Sequence, residues 1–291
     1  MTALLLGFPE YAAQARALAQ AAGLAHGEID IHHFPDGESR VRLPPALPDR
    51  VVLVRSLNAP NDKLVELLLA AATARELGAR HLTLVAPYLC YMRQDTAFHA
   101  GEAVSQRIVG RWLAEHFDRL VTVDPHLHRT PELGAAVPVT QPVRLSAAAL
   151  IGRAAAENYA EPVLLGPDAE SAQWVSEAAA AAGSEWGVAT KVRRGDREVA
   201  IRLPERSWQG RTVVLVDDVA ASGMTLARTA EALHAAGATQ VHAMVTHALF
   251  DAETERLLHE AGIADIASTD SVPHPSNRLS LAPLLAPAVT A

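Results

Sequence analysis

The chain has 291 residues, 49% of them hydrophobic but only 4% aromatic, and a formal net charge of −8. That length supports one large domain or two medium ones, with cores built from Ala, Val and Leu rather than from rings. The acidic balance argues against a nucleic-acid surface, which needs a basic face to displace counterions; the lone Cys90 excludes an internal disulfide and a Cys-rich zinc site; and no run approaches the roughly 18 apolar residues that span a bilayer.

Taken in order, Met1–Pro9 has no basic residue before Ala3–Leu6, so this run reads as a first strand rather than a signal peptide, and a cytoplasmic location is expected. Phe34-Pro35-Asp36-Gly37-Glu38 is a turn carrying an aromatic ring and two acids; by itself this is ordinary turn chemistry. Val51–Val54 predicts a buried strand, Arg55–Asp62 a polar loop and Lys63–Leu77 a helix; Gly78 then stops the helix before a second strand, Leu82–Val85. Arg93-Gln94-Asp95 follows that strand. Arg93 has the fork geometry to clamp phosphate oxygens, although a surface ion pair would use the same residues. Val121–Asp124 predicts another strand, with His126 and His128 behind it as metal ligands or caps. Alanine-rich helices are expected near 146–158 and 170–182, on either side of a strand at Val163–Gly166 that leads to Asp168. Lys191-Val192-Arg193-Arg194 is a basic cluster in a connection, which on composition alone reads as a solvated loop.

Val213–Val216 repeats the earlier grammar: strand, loop Asp217–Met224, helix Thr225–Ala236, Gly237, strand Val241–Thr246. Leu226, Thr229, Ala230 and Leu233 fall on one face of that helix. Each strand–helix–strand unit forces a parallel pair with a right-handed crossover. The expected fold is therefore α/β, with two similar domains, 1–143 and 144–291, each a parallel sheet flanked by helices. A single long doubly wound sheet is the alternative, but it does not explain why the grammar occurs twice. The proline-bearing tail from Ser271 reads as extended and tied back onto the body.

The segment from Asp217 to Thr225 carries the most chemistry. Ligands of parallel sheets bind beyond the carboxyl ends of strands. Small residues there let the backbone approach a phosphate, and the following helix offers free N–H groups and a positive dipole end. Ser222 and Thr225 add hydroxyl donors. Asp217 and Asp218 would repel the phosphate but suit the hydroxyls of a sugar held farther along. Helix capping accounts for one acid near a helix start, not for two directly after an apolar strand. The corresponding place in the first half reads Arg55-Ser56-Leu57-Asn58, so only the second half is expected to hold a sugar phosphate. No G-x-x-x-x-G-K-[ST] loop is present, so any ATP site is built differently.

Two acids and a small hydroxyl-bearing loop ending in Thr resemble the phosphoribosyl diphosphate loop of type I phosphoribosyltransferase folds. Together with Phe34-x-Asp36-Gly37-Glu38, Pro87-Tyr88-x-x-Tyr91-x-Arg93-Gln94-Asp95, Asp124-x-His126, Pro167-Asp168 and Lys191-x-Arg193, the chain resembles ribose-phosphate diphosphokinases over roughly residues 4–250, with a look of the archaeal-type branch in Phe98-x-x-Gly101-Glu102-x-x-Ser105. The resemblance implies transfer of the β,γ-diphosphate of ATP to ribose 5-phosphate. It implies ATP contacts from Phe34, Asp36, Glu38, Arg93, Gln94 and Asp95, the first three from a neighbouring subunit of a homo-oligomer. It further implies Mg2+ held by His126 and Asp168, catalysis by Lys191 and Arg193 on a mobile loop, and ribose 5-phosphate cradled by Asp217, Asp218, Ala221, Ser222, Gly223, Met224 and Thr225. No nucleic acid or membrane partner is expected. The chain departs from the family pattern at Ala221, Met224 and Ala169-Glu170-Ser171. The alternatives are a phosphoribosyltransferase, which would share the Asp217 loop but has no use for Arg93-Gln94-Asp95 or Lys191-x-Arg193, and a non-catalytic regulatory paralogue.

Overall fold

The computed structural model describes residues 3–127, 129–130, 132–194 and 198–290, with the side chains of 192–200 outside that description. Cα packing separates two units: Met1–Leu145 with Ser271–Pro273 and Ser280–Ala291, and Ser146–Asp270 with His274–Leu279.

In the first unit the chain runs β1 (Ala3–Gly7), α1 (Ala12–Ala22), β2 (Ala25–Glu28), β3 (Asp30–His33), β4 (Ser39–Arg42), β5 (Arg50–Val54), α2 (Pro60–Glu76), β6 (His81–Val85), α3 (Ser105–His116), β7 (Arg119–Val123), α4 (Leu133–Ala136) and β8 (Gln141–Leu145). Six strands form a parallel sheet in the order β2-β1-β5-β6-β7-β8, and β3–β4 is a separate antiparallel hairpin. The second unit runs α5 (Ala148–Asn158), β9 (Val163–Gly166), α6 (Ala172–Ala182), β10 (Trp186–Val188), β11 (Thr190–Arg194), β12 (Glu198–Arg202), β13 (Thr212–Ala220), α7 (Met224–Ala235), β14 (Gln240–Ala248), α8 (Ala252–Glu260), β15 (Ile263–Thr269) and β16 (Asn277–Leu279). Its parallel sheet has the order β10-β9-β13-β14-β15-β16, and β11–β12 is its hairpin. The repeat is thus complete at the level of topology: each strand of one unit has a counterpart in the other, and each hairpin falls between the second and third sheet strands in sequence. The α/β expectation holds, and there are two sheets rather than one.

The apolar four-residue runs are strands because helices cover both faces of each sheet. Leu53, Leu67, Leu82, Leu84 and Leu113 belong to one buried core, and Val213, Leu215, Leu226, Leu233 and Val245 to the other. With few rings available, the helices pack closely. An ideal Cβ on Gly152 of α5 would stand 2.0 Å from the Ala178 carbonyl oxygen of α6, so only glycine lets the two backbones approach this far.

Two expectations are corrected. β13 does not stop at Val216 but pairs with β14 as far as Ala220↔Ala248, which places both acids within the strand. The tail is not extended throughout: α9 (Ala282–Thr290) closes the chain and belongs to the first unit, where Ala288 accepts a 2.7 Å hydrogen bond from Arg119 Nη2. Pro283 sits in the first turn, where its missing N–H costs nothing, whereas Pro287 lies inside the helix and removes one of its hydrogen bonds.

Candidate active site

The carboxyl end of β13 presents Asp217 and Asp218 on successive positions of the strand. Asp218 is buried, and its N–H donates to Asp217 Oδ1 at 3.0 Å. Burial, reinforced by the carboxylates of Asp218 and Asp168, pushes the Asp217 carboxyl well above the usual carboxylate range. The loop then turns through Ala221 and Ser222 to Gly223, which is buried, has φ +65° and caps α7 without a side chain. This left-handed position falls on the glycine, while Met224 opens the helix with its side chain 42% exposed. Met224 therefore does not have to adopt the conformation that a glycine would supply. Thr225 follows in the first turn of α7, whose leading N–H groups have no acceptor within the helix.

Next to β13 in the sheet, β9 delivers Asp168. Asp168 opens a one-turn 3-10 helix through a capping box: its Oδ1 accepts from Glu170 N–H at 3.1 Å, and the Ser171 hydroxyl accepts the Asp168 N–H. The second oxygen, Oδ2, receives Lys191 Nζ at 2.8 Å. Lys191 lies on β11 and pairs through its backbone with Ile201 of β12, and Arg193 pairs with Val199. The Arg193 side chain is outside the described residues. Asp168, Lys191, Asp217 and Asp218 are thus brought together in one unit.

In the first unit, Phe34, Asp36 and Glu38 sit at the tip of the β3–β4 hairpin. Phe34 N–H donates to Glu38 O at 2.8 Å, Glu38 N–H to Asp36 Oδ1 at 3.1 Å, and the Phe34 ring is 42% exposed. Arg93 is exposed in the loop after β6. Its neighbours face inward: Gln94 Oε1 accepts from the Ser105 hydroxyl at 2.9 Å, and Asp95 is buried with both oxygens on Arg129, at 2.8 Å from Nη1 and 3.1 Å from N–H. His126 follows β7 and is partly exposed, whereas His128 is outside the described residues. The two histidine and aspartate metal ligands expected from sequence, His126 and Asp168, belong to different units.

Three of the non-glycine residues with positive φ, namely Ala59, Tyr91 and Asp124, stand after β5, β6 and β7 of this unit. Backbone strain of this kind gathers at functional edges of folds. The loop after β5 is filled by the chain itself. Arg55 is buried over the Phe8 ring, 4.1 Å from its centroid, and pairs with Glu66 and with Glu10, the latter at 2.6 Å. Lys63 Nζ donates to Ser56 O at 2.9 Å and Asn58 Oδ1 at 2.7 Å. The loop after β5 thus turns its oxygens toward an internal ammonium, whereas the loop after β13 leads into the leading N–H groups of α7. Arg129, Lys63, Glu66 and Ser171 tie these segments down, a part the sequence reading does not give them. Only Ser171 had a readable signal, the Asp-x-x-Ser spacing of a capping box.

Among the described residues, no three His, Cys, Asp or Glu side chains converge as a metal cage, and no helix is long and apolar enough to cross a membrane. A hard divalent cation such as Mg2+ does not need a cage, because it keeps water and phosphate oxygens as most of its ligands. The ammonium already seated on Asp168 Oδ2 marks a position that accepts positive charge.

Residues 4–116 match the family model described as the N-terminal domain of ribose phosphate pyrophosphokinase, and residues 142–274 match the phosphoribosyl transferase domain. A ribose-phosphate pyrophosphokinase of Methanopyrus kandleri is 38% identical over 278 residues, covering 94% of each chain. Ribose-phosphate pyrophosphokinase 2 of Archaeoglobus fulgidus is 36% identical over 272 residues, again 94% of each. Among solved structures, phosphoribosylpyrophosphate synthetase from Mycobacterium smegmatis has the same fold, with a TM-score of 0.86 over 99% of this chain and 98% of that one at 24% identity.

Proposed function

The chain belongs to the ribose-phosphate pyrophosphokinase family, and from that premise we propose how its residues divide the work. The reaction is the transfer of the β,γ-diphosphate of ATP to the anomeric hydroxyl of ribose 5-phosphate, giving phosphoribosyl diphosphate and AMP. The observation that carries the assignment of residues is the juxtaposition, at the carboxyl ends of β9 and β13, of a carboxylate trio with an open helix N-terminus.

In this reading the 5-phosphate lies against Ala221, Ser222, Gly223, Met224 and Thr225, held by backbone N–H groups and two hydroxyls. Asp217 and Asp218 accept the sugar hydroxyls and so fix the direction of the anomeric oxygen. Phe34, Asp36 and Glu38 meet the adenosine, with the hairpin supplied by a neighbouring copy in a homo-oligomer. Arg93 and Gln94 hold ATP, and Asp95 steadies that segment through Arg129. The anomeric oxygen forms its bond to the β-phosphorus, the bond from that phosphorus to the α,β-bridging oxygen breaks, and AMP leaves with the electron pair while the hydroxyl proton passes to solvent. Such displacements need alignment and charge neutralisation more than covalent help. Lys191 and Arg193 supply cationic charge over the transferred diphosphate. His126 and Asp168 would hold Mg2+, which when bound supplies further neutralisation of the phosphate oxygens.

The test is product analysis of the purified chain with MgATP and ribose 5-phosphate. AMP and phosphoribosyl diphosphate should appear in equal amounts, and no AMP should form when the pentose phosphate is omitted. A chain that forms nothing from these substrates but consumes phosphoribosyl diphosphate when a nucleobase is added would overturn the assignment.

A further inference from the structure

The β3–β4 hairpin is a two-stranded sheet of its own, and such a ribbon is marginal in water unless something fixes it. Its strands are half-exposed, with Ile31 and Val41 against the core, and its exposed tip carries Phe34, Asp36 and Glu38. One buried group reaches both sides of that tip. Glu66, on α2, is 2% exposed. Its Oε1 receives Nε2 of His33, the last residue of β3, at 2.7 Å, and the hydroxyl of Ser39, the first residue of β4, at 2.9 Å. An ionised carboxylate only accepts, so the imidazole and the hydroxyl are the donors. The other oxygen, Oε2, is held by Arg55, which is itself buried and paired with Glu10. The carboxylate is therefore shared out: one oxygen clamps the two ends of the five-residue tip, and the other anchors to the body of the unit. A charged acceptor kept from water makes each bond stronger than its solvent-exposed equivalent.

We infer that Glu66 is a positioning residue for nucleotide recognition. It does not touch the substrate; it sets the height and angle of the hairpin tip, so that Phe34, Asp36 and Glu38 present as one preformed surface to the adenosine. This rests on the reading that the tip binds adenosine. The helix that carries Glu66 also follows the self-filled loop after β5, so Arg55 of that loop is part of the footing of the hairpin. Without the clamp the tip samples other positions, and the nucleotide must bear the ordering cost on binding.

The experiment cuts the clamp on the hairpin side and leaves the buried Arg55–Glu66 pair intact. The double variant His33→Ala/Ser39→Ala in the full chain should raise KM for ATP about tenfold or more, the loss expected for two hydrogen bonds to a charged acceptor. The kcat and the KM for ribose 5-phosphate should stay within about twofold. His33→Ala/Ser39→Thr, which restores the hydroxyl, should recover part of the KM. A purely structural role would move melting temperature and both KM values together and would show no such split. Phe34→Ala serves as the reference. If it raises KM for ATP while the double variant does not, the inference about Glu66 is overturned and the adenosine reading stands. If Phe34→Ala itself leaves KM for ATP unchanged, the adenosine reading falls and the inference goes with it.

Discussion

Gly223→Ala is the substitution most directly priced by the structure. The residue sits at φ +65°, where a side chain costs about 1–2 kcal/mol. An added Cβ would also stand 2.8 Å from Thr254 Cγ2, and 3.1 and 3.2 Å from Leu258 Cδ2 and Cγ on α8. Overpacking of that kind costs about 1–3 kcal/mol, so the total expected loss is about 2–5 kcal/mol. Relief requires the loop to move away from α8, which shifts the N–H groups proposed to hold the sugar phosphate. Misplacement by a fraction of an ångström there should raise KM for ribose 5-phosphate about tenfold or more. Trp174, Trp186 and Trp208 all lie in the second unit, so urea unfolding followed by tryptophan fluorescence reports mainly on that unit. Adding Thr254→Ser removes only the Cγ2 atom, the nearest of the three contacts, and should return part of the packing loss but none of the backbone part. A Gly223→Ala protein within about 0.5 kcal/mol of the parent, with an unchanged KM for ribose 5-phosphate, would refute both the strained-loop account and its link to the phosphate.

Asp217→Asn should abolish activity yet stabilise the fold. Its folded carboxyl is held above the unfolded value, so the parent's stability from this group is full below the unfolded pKa and is lost as pH rises through the folded one. The gain in melting temperature of the variant over the parent should therefore grow from pH 5 to pH 8, and a gain that shrinks would contradict the burial argument. Lys191→Ala and Arg193→Ala should each lower kcat by about two orders of magnitude or more, with little change in KM for ATP; steady-state kinetics would expose a near-normal rate as evidence against their role. Burial pushes the Cys90 thiol up to about 12, so the native chain should resist iodoacetamide at pH 8 and react once denatured; rapid labelling of the native chain would show that the site opens.

Much of the fold was legible because the signals were local. Buried strands betray themselves by runs such as Val163–Gly166, and Gly78, at φ +103°, and Gly237, at φ +96°, mark the ends of α2 and α7. The misreadings have physical causes. Two adjacent acids look like the start of a loop, but β14 continues beside them and offers hydrogen-bond partners to Ala248, which extends β13 past Asp218. The charged Lys63 looks like the start of its helix, but the helix begins at Pro60, where proline suits the first turn. Prolines in the tail hid α9, whose buried Leu285 and Val289 hold it in place. Of the candidate site, Asp168 stands just past the end of β9, where the sequence reading puts it. The ties Asp95–Arg129 and Glu66–Ser39 join residues 34 and 27 positions apart and leave no periodic trace.

The two copies of the fold differ in how their charge is settled. In the first, Arg55 and Lys63 answer Glu10, Glu66 and the loop carbonyls, so the region is electrically finished when the polypeptide folds. In the second, burial first and then the neighbouring carboxylates of Asp218 and Asp168 raise the proton affinity of Asp217. That half is like an arch left without its keystone: pentose phosphate and cation together would bring what the amino-acid chain omits. Unequal heat resistance should follow, with ribose 5-phosphate alone lifting the unfolding temperature of the second half while the first stays nearly indifferent to it.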